Sequence, residues 1–392
     1  RDQSVKPIRR SARRPSLWAI LAGFLRIGAT CYGLAMLHGA KRLVVGQGRL
    51  AEEQVDEGLA LVQLYPGPMM PDLAAYIGYR LRGVPGAALA MGGLIAPSFV
   101  LMLALSAAYG AAGRLPWVQQ LFAGLEALVV GIVASVAADM GARALKGRVH
   151  ALIALAAFVA LLYGANPLLL VLAALGAGAL LIRSGPAAPP RPTPPLRLRT
   201  LAPIGLALLA VLGVAGYAYS LRSDLGRLTL ALFRIGSLAF GNGMTIVPLI
   251  QAEVVGSGRW LTASEFADGI ALGQITPGPF LNTAAFVGYR VGGAAGAALA
   301  AFAVFAPSFV MSLAFTELFT RLPPHGAVRG AVAGVLAAFV GLLAVTVLQM
   351  GGFALHGPAT LALAAFVALR YLKLDVAWVL AGGLAVWAML QV

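Results

Sequence analysis

Apolar runs that match or approach the ~18 residues needed to cross a bilayer recur along this chain, at 86–109, 119–138, 151–182, 201–221 and 294–315. A backbone in lipid has to satisfy its polar groups internally, so runs of this length fold as helices. A transmembrane β-barrel would show short alternating segments instead. Composition agrees, with 60% of residues hydrophobic and 11% charged, where soluble domains carry about a quarter charged. The expected fold class is all-α, a polytopic membrane protein. A net charge of +15 would point to nucleic acid on a soluble chain. Here the basic residues sit at the ends of apolar segments, as the positive-inside rule requires, and no nucleic-acid-binding motif is present. The partner is therefore the lipid bilayer and not nucleic acid. The single cysteine, Cys31, gives no disulfide framework or paired-thiol site. His38, His150, His325 and His356 lack ligand spacing, so neither metal nor cofactor is expected.

The chain repeats itself. Pro66-Gly67-Pro68 recurs as Pro277-Gly278-Pro279, Gly78-Tyr79-Arg80 as Gly288-Tyr289-Arg290, and Ala96-Pro97-Ser98-Phe99-Val100 at 306–310. Arg26-Ile27-Gly28 matches Arg234-Ile235-Gly236, and Gln63 matches Gln274. The order is conserved between the copies, with offsets of 208 to 211, which defines two homologous halves. Residues 1–16 read as a cytoplasmic basic tail, 17–183 as the first repeat and 184–200 as a Pro- and Arg-rich cytoplasmic linker. Residues 201–227 read as an unpaired connecting helix and 228–392 as the second repeat.

The spans expected in the first half are 17–40, 54–80, 86–109, 117–142, 149–163 and 166–182. Those of the second are 228–250, 265–289, 294–318, 327–350, 357–371 and 374–391, and 201–221 stands between the halves. That makes about 13 transmembrane helices. With the N-terminus in the cytoplasm, 20 lysines and arginines fall inside and 7 outside, with Arg26 and Arg234 within spans. Reading the Pro-Gly-Pro segments as re-entrant hairpins would move Arg80, the 143–148 cluster and the linker outward, so crossings broken at Pro-Gly-Pro are preferred. The odd connecting span starts the second half on the opposite side. The halves are then inverted-topology repeats, with a substrate site expected at their interface.

Pro-Gly-Pro within an apolar segment interrupts a helix: proline removes a donor and glycine permits a non-helical angle. The half-helix that restarts after it presents free N–H groups and a positive dipole end, suited to an anion. One such break could be a plain kink; two at matching positions point to a transport site. The candidate substrate-binding residues are Gln63, Pro66, Gly67 and Pro68 in the first copy. In the second they are Asn242, Gln274, Thr276, Pro277, Gly278, Pro279, Asn282 and Thr283. Arg26 and Arg234, about one-third of the way into their spans, either snorkel or aim two cations at a dianion. Glu126 is a proton-coupling candidate or a surface residue. Asp139, thirteen residues and so about 20 Å further along that helix, reads as an interfacial ion-pair member beside the 143–148 cluster.

These motifs resemble the long, two-domain form of the chromate transporter family, over most of the chain. The carriers are Phe24-Leu25-Arg26-Ile27-Gly28 and Phe233-Arg234-Ile235-Gly236, both Pro-Gly-Pro and Gly-Tyr-Arg copies, Gly269-Ile270-Ala271-Leu272-Gly273-Gln274 and both Ala-Pro-Ser-Phe copies. The chain departs from the family pattern after the first Pro-Gly-Pro, where Met69-Met70-Pro71-Asp72 replaces Thr-rich residues. The resemblance implies a multi-pass protein of the cytoplasmic membrane that exports chromate, driven by the membrane potential or a proton gradient. A carrier of sulfate or of a small organic solute, and a channel, stay open as alternatives. A membrane-embedded enzyme is disfavoured, because no convergent nucleophile or metal set is found. A homodimer is compatible with the sequence.

Overall fold

The computed structural model describes residues 15–33, 35–112, 115–182, 198–240, 243–319, 326–354 and 359–390. Among the described residues all regular structure is helical, with fifteen α-helices and no strand. Five of these, α4 (Met69–Ala112), α5 (Pro116–Ala144), α8 (Leu198–Ser220), α12 (Thr283–Phe319) and α13 (Gly326–Ala354), contain segments long and apolar enough to cross a membrane. The all-α, polytopic architecture expected from the apolar runs is the one observed. The tail as far as residue 14, the linker as far as residue 197 and Asn242 lie outside the described residues.

Four of the expected spans are helical hairpins and not single crossings. In the first half, α1 (Leu17–Thr30) is followed by α2 (Ala35–Val44). A Cβ on Gly39 would meet Ile27 and one on Gly23 would meet Leu43, so the two helices run antiparallel. Then α3 (Glu52–Val62) turns at Pro66-Gly67-Pro68 into the short arm of α4 (69–81). Gly58 lies against the ring of Tyr76. In a continuous helix those residues would stand about 27 Å apart. The second half does the same. Arg234 on α9 (Asp224–Gly236) pairs at 3.5 Å with Glu253, just beyond α10 (Val247–Gln251). Gly269 on α11 (Ala263–Ile275) lies against Phe286 of α12. Most of the arms span 10 to 14 residues, roughly 15–21 Å at 1.5 Å per residue, short of a ~30 Å hydrocarbon core. The preference for crossings through Pro-Gly-Pro is thus corrected. Hydropathy registers an apolar arm but not whether the chain passes on or doubles back. Because each half contains two such hairpins, the reversals cancel, and every later helix keeps the side it was assigned.

Each short arm then reverses again into a long helix. Arg82 and Gly83 (φ 66°) break α4, and Gly292 and Gly293 (φ 61°) break α12; the left-handed angle is one that glycine adopts readily. Gly78 sits against Gly86, and Gly288 against Gly296, as the fold-back requires. The short arm of α4 runs along the long arm of α12 (294–319) in the same direction. Gly67 lies at Ser308, the Ser312 hydroxyl donates to the Asp72 carbonyl at 3.3 Å, and the Tyr79 hydroxyl donates to Glu317 at 2.7 Å. The short arm of α12 runs likewise along the long arm of α4 (84–112), with Gly278 at Ser98, and Phe286 and Arg290 at Tyr109. An arm antiparallel to its own long helix and parallel to the other half's long helix makes the two long helices antiparallel. The repeats are therefore inverted.

The halves also interlock. Helices α6 (Arg148–Leu162) and α7 (Pro167–Leu181) pack on α13 of the second half, and α14 (Ala359–Arg370) and α15 (Val376–Leu390) pack on α5 of the first. Gly131 meets the Ala362 carbonyl and the equivalent Gly341 meets the Ala154 carbonyl, close approaches of the kind that small residues allow in membranes. Asp139 does take part in an ion pair, but its partner is Arg370 of the other half, at 3.3 Å. The acidic start of α3 ties the first two hairpins together, with Glu52 and Asp56 at 3.0 and 2.7 Å from Lys41.

Candidate functional site at the crossed tips

The four hairpin tips meet at the interface between the repeats. The Gly67 N–H donates to the Ala239 carbonyl, and the Gly278 N–H donates to the Cys31 carbonyl at 3.0 Å. Cys31 and Ala239 are equivalent positions, 208 residues apart, as are Gly67 and Gly278, 211 apart. The two bonds are one contact made twice, each joining the Pro-Gly-Pro tip of one half to the first-hairpin tip of the other. The Tyr32 hydroxyl adds a bond to the Ile275 carbonyl at 3.1 Å. Breaking the helices leaves N–H groups without intrahelical partners, and the opposite repeat satisfies one in each Pro-Gly-Pro. The N-terminal ends of α2, α4 and α12 all start at these tips, so their positive dipole ends face the same region.

The duplicated Ala-Pro-Ser-Phe motif forms the wall behind each tip. Ser98 and Ser308 donate to the carbonyls of Ile95 and Phe305 at 3.1 and 3.0 Å. Asn282 is fully buried; its amide donates to the Ile95 carbonyl at 3.2 Å and to Ser98, and its Oδ1 has no partner. Thr276 and Thr283 are buried with their hydroxyls turned to the carbonyls of Gly273 and Phe280, both at 2.9 Å. Gln63 and Gln274 each direct an amide at a methionine sulfur, of Met69 at 3.9 Å and of Met244 at 3.0 Å. Pro66, Pro68, Pro277 and Pro279 frame the tips themselves.

The expected arginine pair is not assembled. Arg26 is exposed on α1, and Arg234, its side chain 59% exposed, pairs with Glu253. Neither is hydrogen-bonded to a tip among the described residues. Each half-helix carries its arginine on the outer arm, so inversion sets the two on opposite sides of the tips.

Glu126 is half-buried and neighbours the buried Asp268. It accepts from the Ser264 hydroxyl and lies within hydrogen-bonding reach of the Asp268 carboxyl. Asp268 is 5% exposed; its Oδ2 accepts from the Tyr109 hydroxyl at 2.7 Å, and its Oδ1 is buried without a donor. Two ionised carboxylates have only acceptors to offer each other, so a hydrogen bond between them requires a proton on one. Arg290 neighbours the group, stacked 5.8 Å over the Tyr109 ring and paired with Glu265. Sequence reasoning missed Asp268, which lies 142 residues from Glu126. It also missed Ser98 and Ser308, although their motif is duplicated identically.

Inverted repeats whose broken helices meet at the repeat interface define an integral membrane transporter architecture. The profile of the family described as chromate transporter matches residues 18–179 and 226–388, one match per repeat. The chain belongs to the chromate transporter family. It is 31% identical over 367 residues to the chromate transport protein of Cupriavidus metallidurans, covering 92% of this chain and 89% of that one. It is 31% identical over 346 residues to a probable chromate transport protein of Synechococcus elongatus, covering 87% and 86%. An uncharacterized transporter of Methanocaldococcus jannaschii is 30% identical over 338 residues, covering 85% and 84%. No solved structure matches the chain.

Proposed function

We propose that this transporter carries a tetrahedral oxyanion, chromate foremost and sulfate by the same chemistry, out of the cytoplasm through the crossed tips. The carrying observation is the reciprocal pair of bonds, Gly67 to Ala239 and Gly278 to Cys31. They place two helix starts at one point between inverted repeats and close that point from both sides. Rocking one repeat against the other would open one bond while keeping its twin, and the freed N–H groups would take an oxyanion at a positive helix end. Arg26 and Arg234, on the outer arms, serve to draw the anion toward the tips. The membrane potential favours export of an anion from a negative interior by about 2.3 kcal/mol per charge for each 100 mV. The proximity of Glu126 to Asp268 supports a proton-exchanging role for the pair. Names carried by the relatives support chromate as the cargo. Cells making the protein should accumulate less labelled chromate than cells carrying an empty vector; equal accumulation would overturn export.

Sidedness follows from charge. With both hairpins of each half returning to the face they left, Arg114, Arg222, Arg227, Arg259 and Arg290 lie on the far face and Arg26 and Arg234 within arms. The remaining lysines and arginines share the face of the N-terminus. This bias is steeper than a straight-through reading provides, and it puts the N-terminus and linker in the cytoplasm and the C-terminus outside. Single cysteines at Arg191 and Gly164 should label from opposite faces. Labelling from one face would contradict this arrangement.

A further inference from the structure

Asp72 is a feature of the tips that oxyanion transport leaves unexplained. It stands in the first turn of α4, fully buried, and its carboxyl has no cation; the Ser308 hydroxyl within reach of it donates instead to the Phe305 carbonyl. The carboxyl lies directly against Gly67, so that a Cβ there would strike Asp72 Oδ2, with the hydroxyl of Ser308 beside it. Ser312, from the same long helix, holds the Asp72 backbone carbonyl. The titratable neighbour is Tyr65, from the approach to the tip, buried and stacked 5.0 Å from Phe315. None of the ion pairs among the described residues includes Asp72. Its counterpart in the other half is Asn282, the neutral amide of the same shape, which is hydrogen-bonded to Ser98 and the Ile95 carbonyl.

An ionised carboxylate here would be buried without a cation, with the Ser308 hydroxyl as its one neighbouring donor, which is unfavourable. It would also occupy the helix start that an incoming anion needs, and two like charges cannot both sit there. A proton on the carboxyl removes both conflicts. We propose that Asp72 is a proton-binding site linked to the oxyanion site: the anion binds to the protonated tip, and one proton enters and leaves with it. The carboxylate takes its proton from water on the loading side and returns it to water on the release side, so a dianion travels with a net charge of −1. This rests on the oxyanion reading of the tips. Linkage makes the effect reciprocal: anion affinity rises by up to about tenfold for each unit fall in pH while Asp72 titrates, and anion binding takes up a proton.

The test uses the full-length protein in detergent and chromate, kept alkaline enough to be a dianion throughout. Calorimetry in buffers of different ionisation enthalpy reads the protons taken up per anion bound. Across a rising pH series, wild-type uptake should climb toward one proton per anion as Asp72 becomes ionised in the free protein, and Asp72→Asn, which copies Asn282, should bind chromate with that rise removed. Wild-type binding without proton uptake at any pH of the series, or an unchanged pH dependence in Asp72→Asn, would overturn the proposal and leave the oxyanion reading standing. Wild type that binds neither chromate nor sulfate would overturn the oxyanion reading itself. Should the variant fail to fold, the wild-type proton count decides alone.

Discussion

Replacing Gly278 with leucine should abolish transport while leaving membrane insertion largely intact. Gly278 has φ +94°, and a Cβ there would lie 2.8 Å from Ser98 Oγ, 3.0 Å from Ser98 Cβ and 3.1 Å from the Gly28 carbonyl. A left-handed angle costs a side chain roughly 1–2 kcal/mol, and overpacking adds about 1–3 kcal/mol. The tip would relieve both by withdrawing, which lengthens the bond from the Gly278 N–H to Cys31 and displaces the start of α12. A misplacement of ~1 Å can cost on the order of 100-fold in rate, so uptake should fall to background. Pro279→Leu should also silence transport, by restoring helical character next to the tip. Uptake per unit of protein in the membrane fraction is the measurement. Wild-type rates in both variants would reduce Pro-Gly-Pro to a kink.

The second large effect concerns the acid pair of Glu126 and Asp268. Asp268→Ala should both destabilise the protein and stop coupled transport. It leaves the half-buried Tyr109 hydroxyl and Glu126 carboxyl without their partner, where about 1–3 kcal/mol is the upper range for a fully buried group. Glu126→Gln separates the two roles. A glutamine amide can donate to Asp268 and keep the packing, but it cannot release a proton. The variant should melt near wild type while gradient-driven uptake drops at least about tenfold, as expected for loss of a positioned proton-transfer group. Normal uptake with a normal response to an imposed pH gradient in Glu126→Gln would assign the pair to structure alone.

Much of this architecture is legible in the residues. The duplicated Pro-Gly-Pro, Gly-Tyr-Arg and Ala-Pro-Ser-Phe motifs mark the repeats, and an odd connecting helix (α8 in the structure) implies their inversion. The hairpins are not legible, because an apolar arm of half the membrane thickness has the same hydropathy whether it continues or turns back. What decides is the tertiary bond at the tip, from Gly67 to Ala239 or Gly278 to Cys31, between residues far apart in the chain. The same reason hides the proton pair: Glu126 alone is ambiguous, and only the fold brings Asp268 and Tyr109 to it. Arg26 and Arg234 mislead in the opposite way. Their matching positions invite convergence, whereas the doubled-back arms set them apart and give Arg234 to Glu253. Asp72 stands among the residues that depart from the family pattern, and its significance rests on its full burial without a cation, which only coordinates reveal.

The most direct test is uptake of labelled chromate into everted membrane vesicles, where export in the cell becomes inward movement. A carrier with its site at the crossed tips predicts saturable, energised uptake that excess sulfate reduces, that collapses when the gradients are dissipated, and that Gly278→Leu eliminates at equal protein level. Uptake that rises linearly with concentration, ignores sulfate and survives Gly278→Leu would contradict it.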